Sequence, residues 1–324
     1  MVPKPIVKWA GGKSKLIHEL LPRIPTTMRT YAEPFAGGAA IFFALAGERS
    51  PSNPQTFERA ILADQNPELV ACYRAVRSSV DDVIEALRGY RYDKDLFYAT
   101  RDADTRTMSD VARAARFIFL NRTCFNGLWR VNGSGKFNVP FGRYKNPTIV
   151  DAPALRAASR ALARADVRHG DFLGVTSDLE RGDFVYLDPP YVPVTKTADF
   201  TSYVAGGFHH GDQVRLAEEF RRLRDRGILA MLSNADTPVS RELYADFAVH
   251  QVLAPRAINS DPSGRGAARE IVVTSWGPPG FHALPRSARR ESEAPRAPST
   301  TKPRVARAKA SVPPPARTRR RLEA

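Results

Sequence analysis

Short apolar runs of strand length alternate with amphipathic helical stretches through most of this chain, and no other feature constrains its fold more. Thr30–Phe35 and Ala60–Ala63 read as strands, and Ala39–Leu45 and Pro67–Arg77 as the helices that follow them. Further strand-like runs are Val167–His169, Phe184–Leu187, Ile228–Leu232, Phe247–Leu253 and Glu270–Trp276. The helix expected between Asp212 and Arg226 carries Val214, Leu216, Ala217, Phe220 and Leu223 on one face, with charges opposite. Such alternation predicts an α/β protein with helices packed on both faces of a sheet. The block 78–160 interrupts it. Asp110–Asn121 is helical in pattern, and the following stretch to Val139 predicts two short strands around Gly133-Ser134-Gly135, a hairpin within an inserted module.

Composition narrows the function classes. A chain of 324 residues with 43% hydrophobic and 26% charged residues reads as ordinary globular protein of about two domains. It has no apolar run long enough to span a bilayer, and Lys4, Pro5 and Lys8 open it without an apolar leader, so no membrane partner and a cytoplasmic home are expected. Cys72 and Cys124 stand alone, without metal-ligand or disulfide spacing, and are expected reduced, with no metal bound. A net charge of +15 favours a polyanionic partner. The last 48 residues hold twelve Arg or Lys against three Glu in a Pro-, Ala- and Ser-rich setting, which predicts a disordered basic tail over 277–324. That tail reads equally as a solubilising extension and as a phosphate-seeking one.

Three short motifs carry chemistry. Gly12-Lys13-Ser14 invites a phosphate-loop reading, but the spacing requires glycine where Val7 stands. In AEPFAGGAA, Gly37 and Gly38 follow a strand and open a helix, where a ligand can approach the backbone closely. Asp64 ends the next strand, placed either to accept hydrogen bonds from ribose hydroxyls or to cap the helix starting near Pro67. Together they suggest an adenosine-bearing cofactor. The third motif, Asp188-Pro189-Pro190-Tyr191, suits methyl transfer to an exocyclic amine. The amine's lone pair is delocalised into its ring until acceptors engage its N–H groups. The Asp188 carboxylate and the Pro189 carbonyl can each accept one, while Tyr191 offers a face for a flipped base. Taken alone, the tetrapeptide also fits an ordinary strand-ending turn.

In order along the chain, KWAGGK, EPFAGG, LADQN, NRTCFNGLWRVN with FNVPFGRYKNP, DPPY and SNADT resemble the D12-class, Dam-type DNA adenine-N6 methyltransferases, from about Lys8 to Trp276. The resemblance implies a Rossmann-like, S-adenosyl-L-methionine-dependent methyltransferase sheet. Its cofactor half would be 1–77, an inserted DNA target-recognition domain 78–160 and its catalytic half 161–276. It implies Trp9, Lys13, Gly37, Asp64, Asp171, Phe172 and Asp188 at the cofactor, the last also beside the target amine with Pro189 and Tyr191. It further implies Lys8, Phe125, Asn126, Leu128 and Arg130 on double-stranded DNA, with adenine N6 in GATC as the target. Phe125 and Leu128 fit core packing as well. Ala39 departs from the family, which often has glycine there. The loop Val192–Gly207, polar and long, is expected to close over the flipped base. A cytosine-N4 methyltransferase is disfavoured because Asp, not Ser, begins the motif; the intact Asp188–Tyr191 motif argues against the alternative of a catalytically silent DNA-binding protein, and a cognate restriction endonuclease stays open as partner.

Overall fold

The computed structural model of the chain describes residues 2–47, 54–192, 207–255 and 267–282. Its centre is β1 (Thr27–Glu33), flanked by β2 (Thr56–Asp64) and β4 (Phe184–Leu187) in an eight-stranded sheet of order β3-β2-β1-β4-β5-β7-β6-β8. The strands β3 (Ala165–His169), β2, β1, β4 and β5 (Leu229–Ala235) run parallel. Then β7 (Ala267–Thr274) enters antiparallel between β5 and β6 (Ala248–Pro255), and β8 (Gly280–His282) closes the edge. All four residues of β4 are buried, as a strand covered on both faces requires. Chain order reverses between β1 and β4, so the crevice beyond their C-terminal ends is where a ligand is expected in such a sheet.

Helices cover both faces. After the short α1 (Ile17–Leu20) and α2 (Ala40–Leu45) comes α3 (Pro67–Ser78), where Asn66 caps by accepting from the Glu68 and Leu69 amides and Pro67 takes the first helical position. Asn66, and not Asp64, is therefore the cap. The interrupting block contributes α4 (Val80–Arg88), α5 (Lys94–Asp102) and α6 (Asp110–Thr123) before α7 (Ala152–Leu162) returns the chain to β3. Val83, Leu87, Phe117 and Leu120 of that block share one buried cluster with Phe42 and Tyr73, so it adds to the helical layer of the sheet. On the other face α8 (Phe172–Thr176) and α9 (His210–Asp225) pack Phe172, Leu216, Phe220 and Leu223 against Ala32, Ile61 and Val185, and α10 (Pro238–Leu243) follows β5.

Two expectations shift. The two hairpin strands reduce to isolated bridges, Val131 with Phe137 and Cys124 with Phe141, joined by backbone bonds from the Asn132 amide to the Lys136 carbonyl at 2.9 Å and from the Asn138 amide to the Arg130 carbonyl at 3.1 Å. Trp129 is buried between Phe117 and Phe137, with ring centroids 4.1 and 4.6 Å away, while Asn132 Oδ1 accepts from the Ser134 and Lys136 amides to tie the tip. The tail begins later than Gly277, because Gly280–His282 pairs with Ala248–His250; residues 283–324 lie outside the described ones. Of the expected closing loop, 193–206 also lie outside them. Both cysteines are buried and free, and burial pushes the Cys124 thiol up to about 12. Among the described residues no helix is long and apolar enough to cross a membrane.

One buried carboxylate joins the N-terminal ends of β1 and β4. Asp183 takes Arg29 Nε and a terminal Arg29 nitrogen at 3.0 Å each, and accepts from the Thr30 and Glu180 amides at 3.1 and 2.9 Å. Burial opposes its charge, yet these donors hold the carboxyl below its ordinary range. Replacing Asp183 with alanine should cost about 2–3 kcal/mol in chemical denaturation, since buried donors lose their acceptor. A depressed carboxyl stabilises fully above its unfolded value near 3.8 and fades as pH falls through its lower folded value. The variant's stability should therefore vary less with acidification below pH 4 than that of the parental chain.

Candidate active site

The loop after β1 is built around one glycine. Gly37 has φ +46°, and a Cβ there would lie 2.7 Å from Trp9 Cδ1, so neither the backbone nor the space admits a side chain. Its amide donates to Asp64 Oδ2 at 2.9 Å and its carbonyl accepts from the Tyr73 hydroxyl at 2.7 Å. The other Asp64 oxygen accepts from the Asn66 amide at 2.8 Å. Each oxygen keeps lone pairs for further donors, and burial raises the Asp64 pKa. Ala39 sits in the left-handed region at φ 49°, ψ 40°, a conformation costing an L-residue about 1–2 kcal/mol. The departure from glycine thus falls on the position where glycine would be unstrained.

Beyond β4 the carboxylate of Asp188 meets a buried cation. Lys13 is 4% exposed, and its Nζ lies 2.7 Å from Asp188 Oδ1 and donates to the Gly11 carbonyl at 2.6 Å. The same ammonium stands 4.8 Å from the centre of the Tyr191 ring, whose hydroxyl donates to Glu270 Oε2 at 2.7 Å. Burial raises the Asp188 pKa, and Lys13 works against that rise. Glu33, at the end of β1, is buried with its Oε2 accepting from the Tyr31 hydroxyl at 2.9 Å; burial, reinforced by the charge of Asp188, pushes it up to about 8. Neither Glu33 nor Glu270 stood out in the sequence. For Glu33 the signal was an acidic residue closing the strand directly before the glycine loop.

On the β3 side, Asp171 caps α8 through the Leu173 amide at 2.9 Å and accepts from Gln65 Nε2 at 3.2 Å, which joins it to the Asp64 turn. The Phe172 ring is 1% exposed and stacks on Phe35 at 5.6 Å, so it is core, and the half-buried Phe35 presents the more open ring. Gly37, Asp64, Asp171 and Asp188 all lie at the C-terminal ends of the parallel strands.

The expected DNA readers gather at the N-terminal segment. Asn121 of α6 accepts from the Lys8 amide at 2.8 Å and donates to the Lys8 carbonyl at 2.7 Å and the Gly127 carbonyl at 3.1 Å. Gly127, at φ +64°, lies flat against the Lys8 side chain, whose Nζ stands 4.6 Å from the Tyr144 ring centre. Burial and the neighbouring Arg122 charge lower the Lys8 pKa. Lys8, Asn126, Gly127 and Tyr144 line a pocket of about 450 Å³ that reaches Trp9 and Gly38 of the glycine loop. Phe125 is 48% exposed, which removes the core-packing alternative for it, whereas Leu128 packs partly against the core. Arg130 is exposed, with Nε donating to Asn138 Oδ1 at 2.8 Å.

Comparison with known proteins identifies the family. The family model described as D12 class N6 adenine-specific DNA methyltransferase matches residues 9–258. Type II methyltransferase M1.LlaDCHI of Lactococcus lactis subsp. cremoris is 41% identical over 282 residues, covering 85% of this chain and 96% of the relative. Type II methyltransferase M.MjaIII of Methanocaldococcus jannaschii is 40% identical over 277 residues, covering 80% and 94%. The DNA adenine methylase of Escherichia coli K12 is 32% identical over 271 residues, covering 82% and 93%. With most of its length matched, and with a carboxylate-led turn set beside a glycine loop at the switch point of its sheet, the chain belongs to the D12 class of N6 adenine-specific DNA methyltransferases.

Proposed function

We propose that this enzyme, in the cytoplasm, transfers a methyl group from S-adenosyl-L-methionine to N6 of an adenine flipped out of double-stranded DNA, within GATC. The observation that carries the reading is the buried Lys13–Asp188 pair next to Tyr191, set against the Gly37 loop. The residues present fit the cofactor. Gly37 leaves the loop without a side chain, and Asp64 retains lone pairs for ribose hydroxyls. Lys13 donates to the Gly11 carbonyl and pairs in charge with Asp188, and its ammonium has a further donor for a carboxylate. Trp9 walls the loop, and Asp171 with the backbone of Phe172 would flank the adenine end. When bound, S-adenosyl-L-methionine supplies an electrophilic methyl group on a sulfonium.

The chain's own groups prepare the nucleophile. The Asp188 carboxylate and the Pro189 carbonyl accept the two amine N–H bonds, which localises the nitrogen lone pair for attack. Lys13 occupies one face of Tyr191 and leaves the other for the base, while Glu270 fixes the ring by its hydroxyl. The raised basicity of Asp188 suits it to hold the proton the amine releases. In the reading face, the Arg130 fork has its terminal nitrogens without partners among the described residues and is assigned to the guanine paired with the final cytosine. Leu128 is assigned to the adjacent thymine methyl and Lys8 to the other guanine. The names of the two relatives called Type II methyltransferase support a cognate restriction endonuclease as partner.

Replacing Asp188 with alanine should lower single-turnover transfer on the order of a hundredfold to a thousandfold without unfolding the protein. In the parental chain the rate should fall on acidification at a pH above the ordinary carboxylate range, because protonated Asp188 no longer accepts. Parental rates in the variant would remove Asp188 from the chemistry. A Gly37→Ala chain should bind S-adenosyl-L-methionine on the order of tenfold more weakly in calorimetry, since the new methyl group displaces Trp9 from a left-handed turn. For the target, plasmid from a methylation-deficient host expressing the chain should resist an endonuclease blocked by methylated GATC. Arg130→Ala should relax the outer base pair at a cost of about 1–3 kcal/mol in discrimination. Complete cleavage, with transfer demonstrated on other DNA, would exclude GATC and leave adenine methylation standing.

A further inference from the structure

Two buried amides outside the residues discussed so far grip the proline turn from both sides. Gln213 of α9 is 3% exposed, and Asn234 of β5 is fully buried. Gln213 Nε2 donates to the Pro190 carbonyl at 2.7 Å, while its Oε1 accepts from Asn234 Nδ2 at 3.1 Å. Asn234 Oδ1 in turn accepts from the Val192 amide at 3.1 Å and from the Ala235 amide at 2.8 Å. The orientation of each amide is set by its neighbours, since flipping either one would set donor against donor or acceptor against acceptor.

The turn needs such a grip. The ladder between β4 and β5 ends at Leu187 and Leu232, and neither Pro189 nor Pro190 has an N–H to extend it. Two successive carbonyls therefore leave the sheet without ladder partners. Gln213 takes the Pro190 carbonyl, and among the described residues no donor takes that of Pro189. A buried amide is costly unless bonded, and an apolar side chain would fill the same space on α9. The polar pair thus serves orientation, and packing alone does not account for it.

We propose, resting on the adenine-N6 reading above, that Gln213 and Asn234 form a positioning relay. By holding Pro190 and Val192, the relay decides that the Pro189 carbonyl, and not its neighbour, is presented to the target amine. Neither residue touches the base, and their effect falls on the transfer step.

The experiment compares the parental chain with Gln213→Leu and Gln213→Glu in single-turnover methyl transfer. Dissociation constants for S-adenosyl-L-methionine and DNA, and the melting temperature, are measured beside each rate. Gln213→Leu should lower the rate constant on the order of tenfold to a hundredfold, with both dissociation constants within about twofold of parental, because a small misplacement of an acceptor acts on the barrier. Gln213→Glu keeps the acceptor for Asn234 and can donate to the Pro190 carbonyl only when protonated. Its rate relative to the parental chain at the same pH should therefore fall as pH rises. A parental rate in Gln213→Leu, a loss of affinity matching the loss of rate, or a pH-independent ratio for Gln213→Glu would each overturn the relay. If Gln213→Leu does not fold, the Gln213→Glu ratio decides. A parental chain that transfers nothing to any DNA would instead refute the adenine-N6 reading, and the relay with it.

Discussion

A lysine and an aspartate 2.7 Å apart, both largely withdrawn from water, hold the site together. The charge on either alone would be expensive to bury, and removing one partner strands the other. Their pairing fastens the N-terminal segment, which contributes Lys13, to the end of β4, which contributes Asp188. From that junction the other placements follow. Tyr191 lies under the ammonium, Glu270 holds Tyr191, and Glu33 is kept largely uncharged near neutral pH beside a carboxylate that stays paired. Burial raises the pKa of both acids, and Lys13, paired with Asp188, works against that rise there.

The same N-terminal segment also reaches the module between α3 and α7. The Lys8 backbone exchanges two hydrogen bonds with the Asn121 side chain, and Trp9 stacks on Phe117 of the same helix at 6.5 Å. Trp9 simultaneously covers Gly37. One dipeptide thus lies between the Phe125–Arg130 segment, proposed to read bases, and the Gly37 loop, proposed to hold the cofactor. Because the module shares its core with the sheet's helical layer, packing fixes it relative to the sheet.

Local strain sits where the ligand is expected. Ala39 adopts a left-handed conformation although it carries a methyl group, directly after the two glycines and before α2. Its neighbours over-determine it: Ala39 is buried, and its carbonyl accepts from the Phe43 amide at 3.0 Å. The fold therefore tolerates the substitution that made this loop unlike its family's usual pattern.

Much of this protein was legible in the order of its residues. Strand and helix periods are local properties, so the parallel core strands, the helix from Asp110 and the interruption near residue 78 could be read directly. Gly37, Asp64 and the Asp188 turn were legible because their spacing relative to strand ends is also local. What the tertiary structure decided is which polar side chains are buried and which apolar ones are not. Gln213 lies on a helix whose apolar face was plain, yet its burial depends on Pro190 and Asn234. Asp183 depends on Arg29, 154 residues away, and Glu33 on the enclosure made by β4 and Lys13. Phe125 is exposed, as a DNA contact requires, whereas the Phe172 ring, expected at the cofactor, is enclosed. Gly280–His282 becomes a strand only because β6 offers an open edge. A period along the chain reports which face is apolar. Whether a buried polar group is satisfied depends on partners that only the folded chain brings within reach.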